Sequence, residues 1–553
     1  MATHSVRTHT MENRLVPAPI RGTTADVMDM KRMKKPQELN RVYTAITLIG
    51  YSAIVGLTWP FSLVTGTLSL TNGGPAGAIW VFLAVCFGMG TSVLSMAELA
   101  SLEPTAGGQY HWVRAFAPPG LQKPASFIVG WMCALGWQSY VPGAANICAS
   151  IIVGFAVVSN DSYVPHNWHI VTLTVLICSF AIVFNVFLAR KLPGIEAAVF
   201  TMYILAFVAF FIVFLALGPR SSAKEIFTDF QDNAGWGSIG TACFVGVSAP
   251  VITLIGSDSA VHLAEELKDA SRQLPNAMLG TAGVNFLLGF MMLIAFIAVV
   301  GNVDQLLQTA TGQPWIQVLW NATQSRNATM TMTFFVIFFF LFCAVNQNTT
   351  SSRQLYAFSR DGGLPFSRWI SYVSPTRNVP VHAVLLTWLI GCGLGLIPLG
   401  STAAFLNIQT IGNSGLLISY IICIACRLHH RNTVGIYGNL PAKPPFTLGK
   451  WGGNIINTVA LLFLFCFLVS DMFPTAPNPD TSSMNWNSLV LGVTVVIAGI
   501  SYIWLRKTYL GADDGSQIEL ATMQIHSKGS NTSKIHNRAP SHLFNGNGDV
   551  RGL

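Results

Sequence analysis

Apolar positions along this chain come in long unbroken runs, and polar positions gather in the gaps between them. A bilayer-spanning helix needs about 20 mostly apolar residues. Runs of that kind lie at about 44–71, 76–99, 125–156, 169–188, 195–217, 239–262, 278–300, 331–352, 382–399, 403–426, 454–473 and 488–505. They predict about twelve spanning helices forming a core over 44–506, with an amino-terminal arm over 1–43 and a tail over 507–553. The connector Gly400 to Thr402 is short enough to hide a re-entrant turn. Met1 to Arg41 is polar and basic with no apolar stretch, which argues against a cleavable signal peptide and predicts a cytosolic start. The tail is rich in Ser, Asn, Gly and His, and both ends are expected to be disordered regulatory segments.

Composition sharpens this into an all-α polytopic membrane protein. Of 553 residues, 52% are hydrophobic and 10% charged, against about 25% charged in ordinary soluble domains. Mean hydropathy is +0.51 over the whole length, so no water-facing surface can be built from most of it. Disordered, collagen-like and disulfide-scaffold classes are excluded. The net charge of +8 is informative through its placement. With a cytosolic start, the outside loops hold only Arg220, Lys224 and Arg326 of the 31 Lys and Arg, as the positive-inside rule requires. The basic balance is a topology signal and predicts no nucleic-acid partner. The sequons at Asn160, Asn321 and Asn327 fall in the same outside loops and are candidate glycosylation sites. Those at Asn348 and Asn531 fall in a span and in the cytosolic tail, where no sugar is expected. All ten cysteines lie in apolar runs, and Cys423 and Cys426 are read as small packing residues rather than a redox or zinc pair. No metal site and no cofactor are expected.

Charge inside a bilayer is costly and usually marks function. Glu98, Glu196, Asp258 and Asp471 are the acids within the runs, with no Lys or Arg among them. Glu98, Glu196 and Asp471 lie near run ends, where an interfacial carboxylate in water is an equal reading. Asp258 lies deeper and follows Gly256. The first run carries a matching irregularity, Gly50 and Gly56 followed by Trp59-Pro60. Interruptions at corresponding places of two halves point to an inverted-repeat transporter whose site lies where the two helices break.

Three segments carry a resemblance. Glu98-Leu-Ala-Ser-Leu-Glu-Pro-Thr-Ala-Gly-Gly-Gln-Tyr110 is similar to the signature after the second helix of the amino acid/polyamine/organocation transporters. Gly256-Ser-Asp-Ser-Ala-Val-His-Leu-Ala-Glu-Glu-Leu-Lys268 resembles their sixth-helix signature, and Arg353-Gln-Leu-Tyr-Ala-Phe-Ser-Arg-Asp-Gly-Gly-Leu-Pro365 their loop after helix eight. Within that superfamily the chain most resembles the fungal amino acid/choline/GABA permeases. The resemblance implies a five-plus-five inverted-repeat (LeuT-like) fold with two extra carboxy-terminal helices, and a pocket among helices one, three, six and eight. It places the first-helix break on Ala53, Ile54, Val55 and Gly56 and the sixth on Ile255, Gly256 and Ser257, with Trp137, Gln138 and Gln347 lining the pocket. Two departures stand out: the first break lacks a doubled small-residue pattern, and residues 195–217 lack the lysine of some proton-coupled relatives.

The expected activity is secondary transport of an amino acid or an amine such as GABA, coupled to protons, in the plasma membrane with both termini cytosolic. A substrate carboxylate would sit on amides near Val55 to Leu57, and its ammonium on carbonyls of Ser52, Ala53 and Ile252 to Leu254. Asp258 is the first candidate proton carrier, ahead of Glu98 and Glu196; its alternative role is to cap the second half of helix six. Trp59, Trp131, Trp137 and the run Phe334 to Phe342 admit an aromatic cage for choline, or simple helix packing. A choline, other quaternary amine or polyamine permease, or a nutrient sensor that does not transport, remain alternatives. An ATP-driven pump lacks its phosphate loop, and an enzyme lacks an intramembrane histidine or metal cluster.

Overall fold

The computed structural model describes residues 22–509 apart from 161, 302–305, 307, 438–442 and 481–482. Residues 1–21 of the arm and 510–553 of the tail therefore lie outside the described residues. Among the described residues, twelve helices are long and apolar enough to cross a membrane. In order they are Ala45–Thr71, Gly74–Leu102, Gln122–Ser159, Asn167–Phe187, Leu192–Leu217, Ile239–Glu266, Ala270–Val299, Arg326–Arg360, Val381–Leu399, Ile408–Thr433, Lys450–Ser470 and Asn487–Leu505. The tenth helix itself begins at Thr402. At the Gly400 connector the chain makes a 3₁₀ turn over Ile397–Leu399.

Two spans are broken. Ala45–Gly56 and Thr58–Thr71 meet at Leu57, which adopts a left-handed conformation with φ 44°. Pro60 explains why the break comes one residue after the expected stretch: its ring clashes with the carbonyl four residues back, at Gly56, so the helical ladder cannot run through. The sixth span runs as Ile239–Val245 and Ser248–Leu254, breaks at Ile255–Gly256, and continues as a 3₁₀ helix over Ser257–Glu266. Gly256 has φ 101°, which only glycine adopts at low cost.

The broken first span is the most enclosed, with 72% of its apolar window buried, whereas the twelfth has 11%. The first therefore runs through the protein interior and the twelfth lies on the periphery. The third span packs against the eighth and tenth, and the seventh against the first and second. Third and tenth approach through glycines: a Cβ on Gly412 would lie 1.7 Å from Ser139 Oγ, and one on Gly415 2.9 Å from the Met132 carbonyl. Small residues let membrane helices close in this way. Gly412→Val is expected to force the pair apart and cost about 1–3 kcal/mol by overpacking, read as a lower melting midpoint in detergent. An unchanged midpoint would show that this contact contributes nothing.

The arm departs from expectation. Thr24–Arg32 is a helix with a capping box between Thr23 and Asp26. Asp26 also accepts the amides of Asp269 and Ala270 at 2.9 Å and pairs with Arg41 at 3.2 Å. Residues 24–43 are thus docked on the core, because a helix with an acid aimed at the start of the seventh span finds partners there. Lys35 pairs with Asp361, Arg32 with Glu103 at 2.6 Å, and Tyr356 donates to Glu38 at 2.5 Å. Arg360 grips Glu265 with two bonds of 2.7 Å. Burial by itself raises the Asp361 carboxyl, but Lys35 and Arg360 hold it below the usual carboxylate range. A layer of ion pairs closes the face that carries the amino-terminal segment.

Helix ends also differ from the hydropathy reading. The eighth and tenth helices continue past their apolar runs to Arg360 and Thr433, which brings Arg353, Arg427 and Arg431 into the interior. These cations are buried, contrary to the expectation that no arginine would be.

Candidate functional site

Where the two broken spans meet lies a partly open cavity of about 60 Å³. Val55 and Gly56 contribute from the first span, Ile252, Ile255 and Gly256 from the sixth, Trp137 from the third and Gln347 from the eighth. The structure thus gathers seven of the eleven residues expected to contact substrate. Ala53 and Ile54 do not line it; they are fully buried behind the break. Ser257 opens the 3₁₀ helix just past it. Gln138 is turned about 100° from Trp137 on the same helix and donates to Thr387 Oγ1 at 3.1 Å and the Ser351 carbonyl at 3.3 Å.

Phe61, Tyr140, Gly143, Ala144, Ile147 and Gln409 complete the wall and were not anticipated. Helical spacing held the signal for part of this set: Trp137, Tyr140, Ala144 and Ile147 fall at i, i+3, i+7 and i+10, one face of the third span. Gln409 comes from the tenth span, outside the four helices considered, and its amide lies 3.0 Å from where a Gly143 Cβ would be.

Among the described residues, no charged side chain lines the cavity. Its polar groups are amides, an indole and a phenol. Gln347 donates from Nε2 to the Val55 carbonyl at 3.3 Å, while its Oε1 is buried without a partner among the described residues. Trp137 is fully buried, and its Nε1 likewise has no partner. Two residues of the wall thus carry one unmet acceptor and one unmet donor among the described residues, each costly to leave so. The expected backbone cradle is partly occupied: Leu57 N donates to the Ala53 carbonyl at 2.8 Å, and Trp59 N to Tyr203 Oη at 3.5 Å.

The aromatic candidates separate. Trp59 packs in a box of Tyr203, Phe207, Phe210 and Phe339, with ring centroids 5.0–6.3 Å away, and fills the core behind the first span. Neither Trp59, Trp131 nor the Phe334–Phe342 run lines the cavity; the rings that do are Phe61, Trp137 and Tyr140.

Asp258 lies just past the sixth break and is fully buried. Its carboxylate accepts Gln109 Nε2 at 2.6 Å and Tyr420 Oη at 2.5 Å, with His262 Nε2 at 3.7 Å. The capping role is not what is seen: these partners are side chains, and the 3₁₀ helix has no side-chain cap bond. His262 stands edge-on to Trp137 at 5.6 Å, so Asp258 touches the cavity wall only at second hand. Glu98 is not interfacial: it is fully buried, and Arg427 (3.2 Å), Arg431, Thr447 (3.1 Å) and the Leu448 amide (3.0 Å) all bond to it. Asp471 is buried as well, accepting from Asn413, Ser414 and Asn487. Cys423 and Cys426 are free thiols, and no group of three or more metal-ligating side chains occurs among the described residues.

Residues 43–497 match the amino acid permease family. An uncharacterized amino-acid permease of Schizosaccharomyces pombe is 30% identical over 84% of each chain. The choline transporter of Saccharomyces cerevisiae is 28% identical over 87% of this chain and 83% of its own length, and the GABA-specific permease of that yeast 29% over 86% and 83%.

Proposed function

Since this chain belongs to the amino acid permease family, we propose that it carries a zwitterionic amino acid across a membrane by alternating access around the twin helix breaks. It is a multi-pass membrane protein and a transporter for amino acids or amines. The observation that carries the finer reading is the pair of unmet groups on the cavity wall. Gln347 Oε1 accepts an ammonium N–H, and Trp137 Nε1 donates to a carboxylate. An amino acid supplies both. A polyamine lacks the acceptor and a quaternary ammonium lacks the N–H donor. The substrate rests on Gly56 and Gly256, where the absence of side chains leaves room at the broken backbone.

A second reading has its own support. Phe61, Trp137 and Tyr140 present three rings to the same space, and aromatic faces attract a quaternary ammonium without needing an N–H. Uptake of labelled amino acids, GABA, choline and polyamines in a permease-deficient yeast strain separates the two, and also separates a carrier from a sensor. We expect an amino acid to be concentrated and its N-trimethylated analogue to be excluded. Gln347→Leu should erase that discrimination, since an unpaired buried acceptor accounts for about 1–3 kcal/mol, a factor of roughly 5 to 150. Preferential uptake of choline, unaffected by Gln347→Leu, would establish the aromatic reading instead.

The remaining assignments belong to the same proposal. The carrier draws on the proton gradient, resides in the plasma membrane and has cytosolic termini. The docked segment from Thr24 to Tyr43 then closes the cytosolic face. Asn160 is exposed in a loop, whereas Asn321 lies in the short helix Pro314–Thr323 and Asn327 in the first turn of the eighth span rather than in the loops expected; all three are exposed and are proposed sugar acceptors on the opposite face. Ala53, Ile54, Ser257 and Gln138 support the wall from behind rather than touching substrate. Glu98, held by two arginines, belongs to the scaffold, which leaves Asp258 and Glu196 as proton carriers.

A further inference from the structure

Glu196 lies near the start of the fifth span and is fully buried. Its Oε2 accepts Asn346 Nδ2 at 2.8 Å, and its Oε1 has no partner among the described residues. Other buried carboxylates among the described residues are better provided. Asp26, Glu98, Glu265 and Glu266 each have an arginine, Asp361 has Lys35, Asp258 has two strong donors beside a histidine, and Asp471 has three donor side chains. Burying an ion with one hydrogen bond and no counter-charge is costly. A carboxyl in that position is stable only while it can take up a proton.

The partner of Glu196 leads to the broken helix. Asn346 Nδ2 also lies 3.4 Å from the Tyr51 carbonyl, and its Oδ1 is unpartnered. The Asn346 carbonyl accepts Tyr51 Oη at 2.9 Å, and that hydroxyl meets Thr350 Oγ1 at 2.7 Å. Tyr51 stands less than two turns before Leu57, so the fifth, eighth and first spans are joined through one amide. The titratable groups that face Glu196 are Tyr43 from the docked amino-terminal segment, Tyr51 from the first span and Cys343 from the eighth. Arg353 on the eighth is engaged by Glu266 at 3.0 Å. The seventh span, also packed on the fifth, carries one charged residue, Arg272, the short helix Pro314–Thr323 none, and Lys191 at the head of the fifth is exposed.

We propose that Glu196 is the group that binds the coupled proton, and that this proton changes how Asn346 holds the first helix below its break. The inference rests on the transport reading above. As an ion, Glu196 can only accept, and it takes Asn346 Nδ2. Protonated, it gains an O–H, and the unpartnered acceptor on the same side chain is Asn346 Oδ1. Engaging Oδ1 turns the amide over and withdraws Nδ2 from the Tyr51 carbonyl. One O–H bond forms when the proton enters from water on one side and breaks when it leaves to the other. Two discrete arrangements of one amide thereby bias the position of the broken helix, which is the element that alternating access must move.

Full-length protein in proteoliposomes, with an amino acid that the wild type exchanges, supplies the test. An imposed gradient of one pH unit supports about tenfold accumulation by the wild type, whereas Glu196→Gln is expected to exchange substrate normally yet settle at a ratio of about one. Its initial rate should no longer vary with pH, and Glu196→Asp should retain accumulation. Wild-type accumulation by Glu196→Gln would overturn the assignment, and so would loss of exchange in both variants at normal membrane levels, which marks a structural role. Uncoupling by Asp258→Asn in place of Glu196→Gln would move the proton to the Asp258–His262 pair. A wild type that exchanges but accumulates only with sodium excludes a proton carrier altogether, and one that exchanges nothing removes the transport reading itself.

Discussion

Gly256→Leu is expected to abolish uptake while the protein still reaches and inserts into the membrane. Two effects add. The backbone at this position has φ 101°, and a side chain in that region costs about 1–2 kcal/mol. The leucine would also project into the cavity: a Cβ on Gly256 lies 3.9 Å from Trp137, so the rest of the side chain occupies the space between the two breaks. Gly256→Ala separates these contributions. It carries the strain with little of the volume, and should be destabilised while retaining measurable uptake. Gly56→Leu is a second route to the same loss, because its Cβ would stand 2.7 Å from Asn285 Nδ2, which must swing away from the Ala53 carbonyl. The readout is initial uptake rate normalised to surface protein. Wild-type rates in both leucine variants would place the substrate elsewhere.

Glu98→Ala is expected to be the most destabilising single replacement of a charged residue. It leaves Arg427 and Arg431, both buried, without the carboxylate they share, and strips an acceptor from Thr447 and the Leu448 amide. Breaking a buried pair by removing one partner costs about 3–5 kcal/mol. The change should appear as a large drop in melting midpoint and in the monodisperse fraction after extraction. Replacing Glu98, Arg427 and Arg431 together by methionine removes all three charges, and stability should then largely return. If Glu98→Ala melts with the wild type, the triad is not a scaffold element, and Glu98 re-enters as a candidate proton carrier.

Much of the architecture was legible along the chain. Twelve apolar runs became twelve spans, because a bilayer-crossing helix satisfies its own backbone and needs only local composition to be recognised. The sixth break was readable from Gly256, and the first to within one residue, since Pro60 acts on the carbonyl four positions before it. Trp137, Gln347 and the two glycines were reachable through motif resemblance. Gln409 was not, as a single glutamine in an apolar run has no pattern to mark which way it faces.

Charge was where the linear reading stopped. Hydropathy ends a span at its first arginine, yet Arg353, Arg427 and Arg431 continue their helices into the interior, because Glu266 and Glu98, far away in sequence, neutralise them. The same through-space pairing reorders the acids. Glu98, Asp258 and Glu196 look alike as isolated carboxylates in apolar surroundings. Only packing gives the first two arginines, the second a glutamine, a tyrosine and a nearby histidine, and the third a lone asparagine. Sequence by itself determined that the chain crosses a membrane twelve times and where two of its helices must yield, since both follow from forces acting within a few residues. Tertiary structure alone decided which side chains meet the cavity and which buried carboxylate is left with a single hydrogen bond, because an ionised group's cost depends on neighbours brought together across hundreds of residues.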